Sequence, residues 1–129
     1  MNGKDVANIL VTKLLELGFV VHRYNSHTTS SIYLKLDFGV SCGIRIADHP
    51  GKPKYRYRFN VIKDYKSDKV ILKNGLICRF FDFNELDRVL EAVQQEKRDK
   101  LSRYGLENYR EYMKKQKDDE LFSRFKKVS

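Results

Sequence analysis

The sequence predicts an α+β fold: a single domain in which an N-terminal helix and C-terminal helices cover an antiparallel meander sheet of about four to five strands. Three patterns indicate it: apolar residues at three- and four-residue steps near the N-terminus, short alternating segments in the middle, and helical periodicity in the last third. The chain has 129 residues, 41% of them hydrophobic, enough for one core without disulfides or metal. We expect one domain over 1–129, with a helix at 4–17, the sheet at 19–81 and a helical part at 84–127.

The first helix is predicted from an apolar stripe in "GKDVANILVTKLLELGF". Because a helix turns once in about 3.6 residues, side chains at these steps share one face. Gly18 follows the stripe, and glycine readily adopts the left-handed conformation that ends many helices. The stripe consists of Val6, Ile9, Leu10, Leu14 and Leu17.

Alternation predicts the first strands. "FVVHRY" reads as a strand, and in "SIYLKLD" apolar side chains alternate with Tyr33 and Lys35. In "IRIAD", Ile44 and Ile46 are expected to face the core and Arg45 to face away from it. One face of an antiparallel sheet is often left in solvent, so these outward side chains belong to a free face.

The segment "KYRYRFNVI" extends the same pattern after the turn "HPGKP". Continued alternation places Tyr55, Tyr57 and Phe59 in the core. It places Arg56 and Arg58 on the outer face, beside the lysines of the turn.

Further boundaries follow from turn and capping residues. Asn74-Gly75 predicts a hairpin, because both central positions of such a turn require positive φ. Asn84 is expected to cap a helix whose inner stripe includes Val89 and Val93, and Gly105 to interrupt or end that helix.

The charge balance favours anionic partners. Lys and Arg number 26 against 17 Asp and Glu, a formal net charge of +9. Nucleic acid, an acidic protein groove and a membrane surface all fit this excess, and so does a basic protein without such a partner. No apolar run approaches the length that spans a bilayer and no signal pattern precedes the first helix, so we expect a cytoplasmic protein.

No sequence motif indicates a cofactor. Phosphate-binding glycine loops, metal-ligand spacings and nucleophile motifs are absent from the sequence, so none of these sites is predicted. Cys42 and Cys78 are expected to be reduced, buried thiols with a structural role.

The candidate binding residues lie on the predicted outer face and at its turn. Guanidinium and ammonium groups bind phosphates, and flat rings stack on unpaired bases, so the combination suits single-stranded nucleic acid. A solvated outer face is the alternative. Arg23 and Arg79 are expected to join from flanking strands. The candidates are Tyr33, Lys35, Arg45, Lys52, Lys54, Arg56 and Arg58.

Asp48 and His49 allow two interpretations. As catalytic groups, Asp48 would orient the imidazole or bind a metal, and His49 would act as a general base. An Asp before a Pro-Gly turn more often bonds the backbone of that turn, and neighbouring strand residues point in opposite directions. We therefore expect a turn.

The succession "SSIYLKLDFGVSCGIRIADHP…FNVI" resembles a pattern in small proteins of phages and mobile elements of Gram-positive bacteria, some of which are anti-CRISPR inhibitors of Cas9. Ala47 replaces the serine usual in that pattern. The resemblance implies a non-enzymatic protein in a bacterial host that binds a nuclease or its guide RNA. The matching positions are Ser31, Tyr33, Ile44, Arg45, Ile46, Asp48, His49 and the strand ending Asn60-Val61-Ile62.

Three functional hypotheses follow. The first is an anti-CRISPR-like inhibitor that binds a Cas9-type nuclease or its guide RNA through a basic hairpin and sheet face. The positive charge argues against mimicry of DNA and favours contact with RNA or with an acidic patch. The second is a DNA- or RNA-binding protein with no protein target. The third is a small nuclease or other hydrolase that uses Asp48 and His49.

Overall fold

The computed structural model describes residues 2–62, 78–117 and 124–128. Within these residues the chain forms three α-helices, α1 (Gly3–Glu16), α2 (Leu86–Tyr104) and α3 (Leu106–Lys117). The same residues contain six strands, β1 (Val21–Asn25), β2 (Ile32–Leu36), β3 (Cys42–Ala47), β4 (Arg58–Ile62), β5 (Cys78–Asp82) and β6 (Lys126–Val128).

The six described strands form one antiparallel sheet in the order β5-β4-β3-β2-β1-β6. Strands β1 to β5 follow one another as a meander, as predicted. The sixth strand comes from the C-terminal part and pairs with β1, so residues 126–128 are a strand where a helix was predicted. A strand of three residues is too short to show a recognisable alternation. Its partner β1 also lies far away in the sequence, so no local hairpin pattern marks it.

Two helices cover one face of the sheet. Helix α1 packs on β1, β2 and β3, and α2 packs on β3, β4 and β5. The apolar residues of the sheet that point toward these helices are buried, which confirms the predicted α+β architecture. The largest fully buried side chains are Phe59, Leu10, Leu14, Leu34, Leu36, Ile44, Ile46, Val21, Val61, Val89 and Val93.

The helix boundaries agree closely with prediction, with one correction. Asn2 caps α1 by accepting a hydrogen bond from the amide of Asp5 at 2.9 Å. Gly18, after the helix, has φ +86°, and Gly105 has φ +80° where α2 gives way to α3. Asn84 does not cap α2. The chain enters this helix through a 3₁₀ turn, where the Glu85 carboxylate accepts from the amide of Asp82 at 2.8 Å.

The strand after the β3–β4 turn begins later than predicted. Residues Pro53–Tyr55 form a 3₁₀ turn, and Tyr57 has φ +55°, so regular alternation begins only at Arg58. Phe59 is buried as expected, whereas Tyr57 is 43% exposed. Tyr55 lies on the face opposite the core, against the side chain of Arg45. The predicted core positions of Tyr55 and Tyr57 are therefore wrong.

The predictions for the two cysteines and for the Asn74-Gly75 hairpin have different outcomes. Cys42 is a buried free thiol, and burial raises its pKa above the ordinary value, in keeping with a structural role. The hairpin predicted at Asn74-Gly75 lies outside the described residues, and so does the side chain of Cys78.

A buried carboxylate connects the sheet to the C-terminal helices. Asp37, which is fully buried, follows β2 in a 3₁₀ turn. Its Oδ1 accepts from the amide of Val20 at 3.0 Å, and its Oδ2 lies 3.0 Å from the ammonium of Lys97. The hydroxyls of Ser41 and Tyr109 both donate to Oδ2. A buried charge is tolerated when it is paired and hydrogen-bonded in this way.

A second lysine strengthens this connection. Lys100 is buried and donates to the carbonyls of Val40 and, at 2.7 Å, Ser41. Burial, followed by the bond to Asp37, raises the pKa of Tyr109. Tyr109 is therefore an internal bridge between α3 and the turn that follows β2.

Replacing Tyr109 with Phe should lower the free energy of unfolding by about 1–3 kcal/mol, because Asp37 loses one donor in a buried site. Urea denaturation measures this change. Tyr104→Phe is the control: Tyr104 is 37% exposed on α2, and its change should stay within about 0.5 kcal/mol. Equal losses in the two variants would contradict the assigned role of the Tyr109 hydroxyl.

Candidate functional site

The sheet face that the helices leave uncovered carries a line of aromatic and polar side chains. Strand pairing places Tyr24 opposite Tyr33, Tyr33 opposite Arg45, Arg45 opposite Asn60, and Asn60 opposite Phe80. Each of the strands β1 to β5 therefore contributes one residue to the same line. Because successive strand residues point to opposite faces, the buried neighbours of these residues show that the line faces away from the core.

Ring and guanidinium contacts continue along this line. The Tyr24 ring lies 5.6 Å from that of Phe125 and 6.1 Å from that of Tyr33, where the planes meet at 24°. The Arg45 guanidinium lies 5.6 Å from the Tyr33 ring and 4.3 Å from the Tyr55 ring. The Tyr55 ring in turn lies 6.0 Å from that of Phe80. We call this set the aromatic row: Phe125, Tyr24, Tyr33, Arg45, Tyr55 and Phe80.

Asn60 lies beneath the aromatic row. Its neighbours across the sheet are Arg45 and Phe80, and the Tyr55 ring contacts both of them. Asn60 is 7% exposed, and its Oδ1 accepts no hydrogen bond from the described residues. A buried polar atom without a partner costs about 1–3 kcal/mol. Such groups are concentrated where a protein keeps a functional site.

Arg45 is held in place from both sides. Its Nε donates to the Ser31 hydroxyl at 3.1 Å, and the rings of Tyr33 and Tyr55 flank its guanidinium. An arginine fixed in this way loses less side-chain entropy when it binds an anion. Arg45 is therefore a cation whose position on this face is set by three neighbouring side chains.

Basic side chains lie near the β6 end of the row. Lys35 lies with its ammonium 4.7 Å from the Phe125 ring, and Lys127 of β6 stands opposite His22 of β1. Burial, then the charges of Lys127 and Lys35, lower the pKa of His22. Asp82 is the one carboxylate among the described strand residues, and it is paired with Arg58.

The predicted site residues divide into two groups. Tyr33, Lys35 and Arg45 lie together on the open face, as the alternation predicted. The basic residues of the β3–β4 turn are arranged differently. Arg58 is on the open face but is engaged by Asp82, while Arg56 bonds the Tyr57 hydroxyl at 2.9 Å.

Lys52 is exposed in the β3–β4 turn, and Lys54 occupies the 3₁₀ turn, with its side chain outside the described atoms. The exposed side chains of Lys52 and Arg56 therefore lie at the turn. The centre of the face is occupied by Arg45 and the rings.

Asp48 and His49 occupy the turn between β3 and β4. The His49 amide donates to the Tyr55 carbonyl at 2.7 Å, and its ring Nδ1 lies 3.0 Å from the Pro50 carbonyl oxygen. The Asp48 carboxylate lies 3.9 Å from Nε of Arg56. The two side chains therefore engage other groups rather than each other, and the backbone bonds are those of the expected turn.

Two cations expected on the outer face are on the other one. Arg23 lies opposite Leu34 and donates to the Asn8 side chain of α1 at 2.7 Å. Arg79 lies opposite Val61, and its guanidinium is 5.2 Å from the Phe81 ring. Both residues are at the margin of the helix-covered face, where a long side chain reaches solvent past its apolar neighbours.

Sequence reasoning missed five members of the site. Tyr24, Tyr55, Phe80 and Phe125 belong to the contact line, and Asn60 lies under it. Tyr55 was assigned to the core because the 3₁₀ turn that breaks the alternation was not recognised. The two residues between buried Val21 and Tyr24 are the polar His22 and Arg23. No apolar alternation therefore indicates which face of the sheet Tyr24 occupies. Phe80 stands beside Phe81, so the sequence gives no sign of which ring faces outward. The contact of Phe125 depends on the distant pairing of β6 with β1.

Comparisons with protein-family models, curated proteins and solved structures gave no match to this chain. Within residues 2–62, 78–117 and 124–128, no helix has the length and apolar character needed to cross a bilayer. The same residues contain no cluster of three or more histidine, cysteine or acidic side chains placed to bind a metal ion.

Replacing Asn60 with Leu should raise the free energy of unfolding by about 1–3 kcal/mol, because it removes a buried acceptor without a partner and keeps a similar volume. Urea denaturation measures the change. Asn108→Leu is the control at an exposed position of α3, where a change within about 0.5 kcal/mol is expected. A destabilised Asn60→Leu would show that the amide contributes to folding.

Proposed function

We propose that this protein binds single-stranded nucleic acid on the open face of its sheet, without catalysing a reaction. The aromatic row is the observation that carries this proposal. Rings from β1, β2 and β5, from the β3–β4 turn and from the segment before β6 lie along one line. Stacking on such rings is worth about 1–3 kcal/mol per base and tolerates any sequence.

The face suits unpaired bases rather than a duplex. In a duplex the flat sides of the bases are stacked on one another, so rings on a sheet have no access to them. Neighbouring strands are about 4.8 Å apart, so the row from β6 to β5 extends for roughly 24 Å. This length agrees with a site for about four nucleotides, at the lower end of the range for single-strand-binding domains.

Cations are placed beside the rings, where phosphates would lie. Arg45 stands in the middle of the row, and Lys35 and Lys127 lie near its β6 end. Arg58 contributes less to the free positive charge, because Asp82 already pairs with it. The proposed site is therefore centred on Arg45, and the turn that carries Lys52 forms its rim.

Phe80→Ala should weaken binding of a fluorescent single-stranded RNA by about fivefold to 150-fold, the equivalent of one lost stacking contact. Fluorescence anisotropy at low salt measures the dissociation constant. Tyr104→Ala is the matched control, since Tyr104 is 37% exposed on α2 and Phe80 is 41% exposed on β5. A single-stranded DNA of the same sequence, assayed in parallel, distinguishes RNA preference from general binding.

Two results would overturn this proposal. One is the absence of measurable binding of the wild-type protein to any single-stranded oligonucleotide at low salt. The other is an equal effect of Phe80→Ala and Tyr104→Ala, since only Phe80 belongs to the row. Circular dichroism of both variants verifies that each is folded.

Inhibition of a CRISPR nuclease is the second candidate, and one observation favours it. The outward residues of the pattern that resembles anti-CRISPR proteins are brought together on the open face. Ser31 bonds Arg45, Tyr33 contacts Arg45, and Asn60 stands next to it in the sheet. An inhibitor that binds guide RNA would use this same surface, so the two candidate functions share their residues.

Cleavage by Cas9 with its guide RNA tests the second candidate. Arg45→Gln should abolish any inhibition by the wild-type protein, because it removes the central cation of the face. A hairpin variant with Lys54, Arg56 and Arg58 changed to Glu should retain more inhibition, because Arg56 and Arg58 already have partners. Full inhibition by folded Arg45→Gln would exclude the open face, and no inhibition by the wild-type protein would exclude this function.

A further inference from the structure

A basic cleft adjoins the aromatic row at the edge formed by β1 and β6. Its volume is about 940 Å³, and four of its nine lining residues are the cations Arg23, Arg124, Lys126 and Lys127. None of the nine is an acid. Tyr24 lines the cleft and is also a member of the aromatic row, so the two surfaces are continuous.

The chemistry of the cleft selects an anion with several charges. The four cations repel one another, the nine described lining residues include no carboxylate, and an anionic ligand relieves that repulsion. Arg23 also donates to the side chains of Asn8 and Asn25, so Arg124, Lys126 and Lys127 supply most of the available charge. Asn25, His27 and Thr28 add side chains that form hydrogen bonds with phosphate oxygens. The volume is far larger than one phosphate requires, which favours a run of phosphates over a single ion.

We infer that this cleft binds the sugar-phosphate backbone of the single strand where the strand leaves the aromatic row at Tyr24. The inference rests on the proposed function and extends it. The row holds bases by stacking, and the cleft holds the following nucleotides by their phosphates. The protein then has a two-part site, longer than the sheet alone provides.

The position of Phe125 supports this continuity. It lies between two cations of the cleft, Arg124 and Lys126, and its ring contacts Tyr24 at 5.6 Å. A base stacked at this end of the row therefore places its 5′ or 3′ phosphate toward the cleft. The same short segment supplies a ring to one part of the site and cations to the other.

Oligonucleotides of increasing length test the inference. The probes are fluorescent oligouridylates of about 4, 6, 8 and 10 nucleotides, and the variant is Arg124→Gln with Lys126→Gln. Binding of the shortest probe should change by less than about twofold, because it is held on the row. Binding of the longest probe should fall by about tenfold or more. The slope of log affinity against log salt should decrease by about 1.4, which is two contacts at 0.7 each.

Lys114→Gln with Lys115→Gln is the matched control, since it removes the same charge from exposed positions of α3. It should have little effect at any length. An equal loss of affinity at all lengths in the cleft variant would show a general charge effect and overturn the two-part site. Unchanged affinity for the longest probe would also overturn it.

Inorganic phosphate provides the last comparison, monitored by NMR shifts of residues 124–128. If the cleft variant loses phosphate binding but keeps full affinity for long oligonucleotides, the cleft is a site for free phosphate and the inference is wrong. Failure of the wild-type protein to bind any probe would remove the proposed function and the inference with it. Intact binding to short probes with no gain from length would remove the inference alone.

Discussion

The burial of the Asp37 carboxylate is the constraint on which the arrangement of this protein depends. Asp37 stands between β2 and β3, and its partners come from the segment before β1, from α2 and from α3. A buried charge is stable only while its partners stay in place, so these contacts hold α2 and α3 at the turn that follows β2. Asp37 and Phe38 both have positive φ, at 52° and 58°. The surrounding hydrogen bonds maintain this uncommon backbone conformation.

The open face is a consequence of that arrangement. Both α1 and α2 pack on the same side, so none of the helices in the described part of the chain lies above the outward residues of the strands β1 to β5. These residues contact one another in a line of rings interrupted by Arg45. The buried Asn60 amide beneath them carries an oxygen that accepts no hydrogen bond from residues 2–62, 78–117 or 124–128.

Local patterns predicted those elements whose structure is decided locally. The stripe of α1, the positive φ of Gly18 and the alternation in β2 and β3 all follow from residues close in sequence. Tyr55 and Tyr57 were placed wrongly because a 3₁₀ turn at Pro53–Tyr55 breaks the alternation before β4. The role of Tyr109 was not visible, because its hydroxyl meets Asp37 across a long stretch of chain. Tyr33 and Arg45 of the candidate site were predicted from alternation, whereas Tyr24, Asn60 and Phe80 were not, since only strand register brings them into line with Arg45.

The shortness of β6 has a consequence for the solubility of the protein. An edge strand exposes unpaired amide and carbonyl groups that can pair with another molecule and begin aggregation. Here β6 covers the edge of β1 with only three residues, and two of them are exposed lysines. A short, charged edge is a poor template for a further strand. The β6 edge of the sheet therefore resists the addition of further strands that leads to fibrils, even though the open face carries several rings.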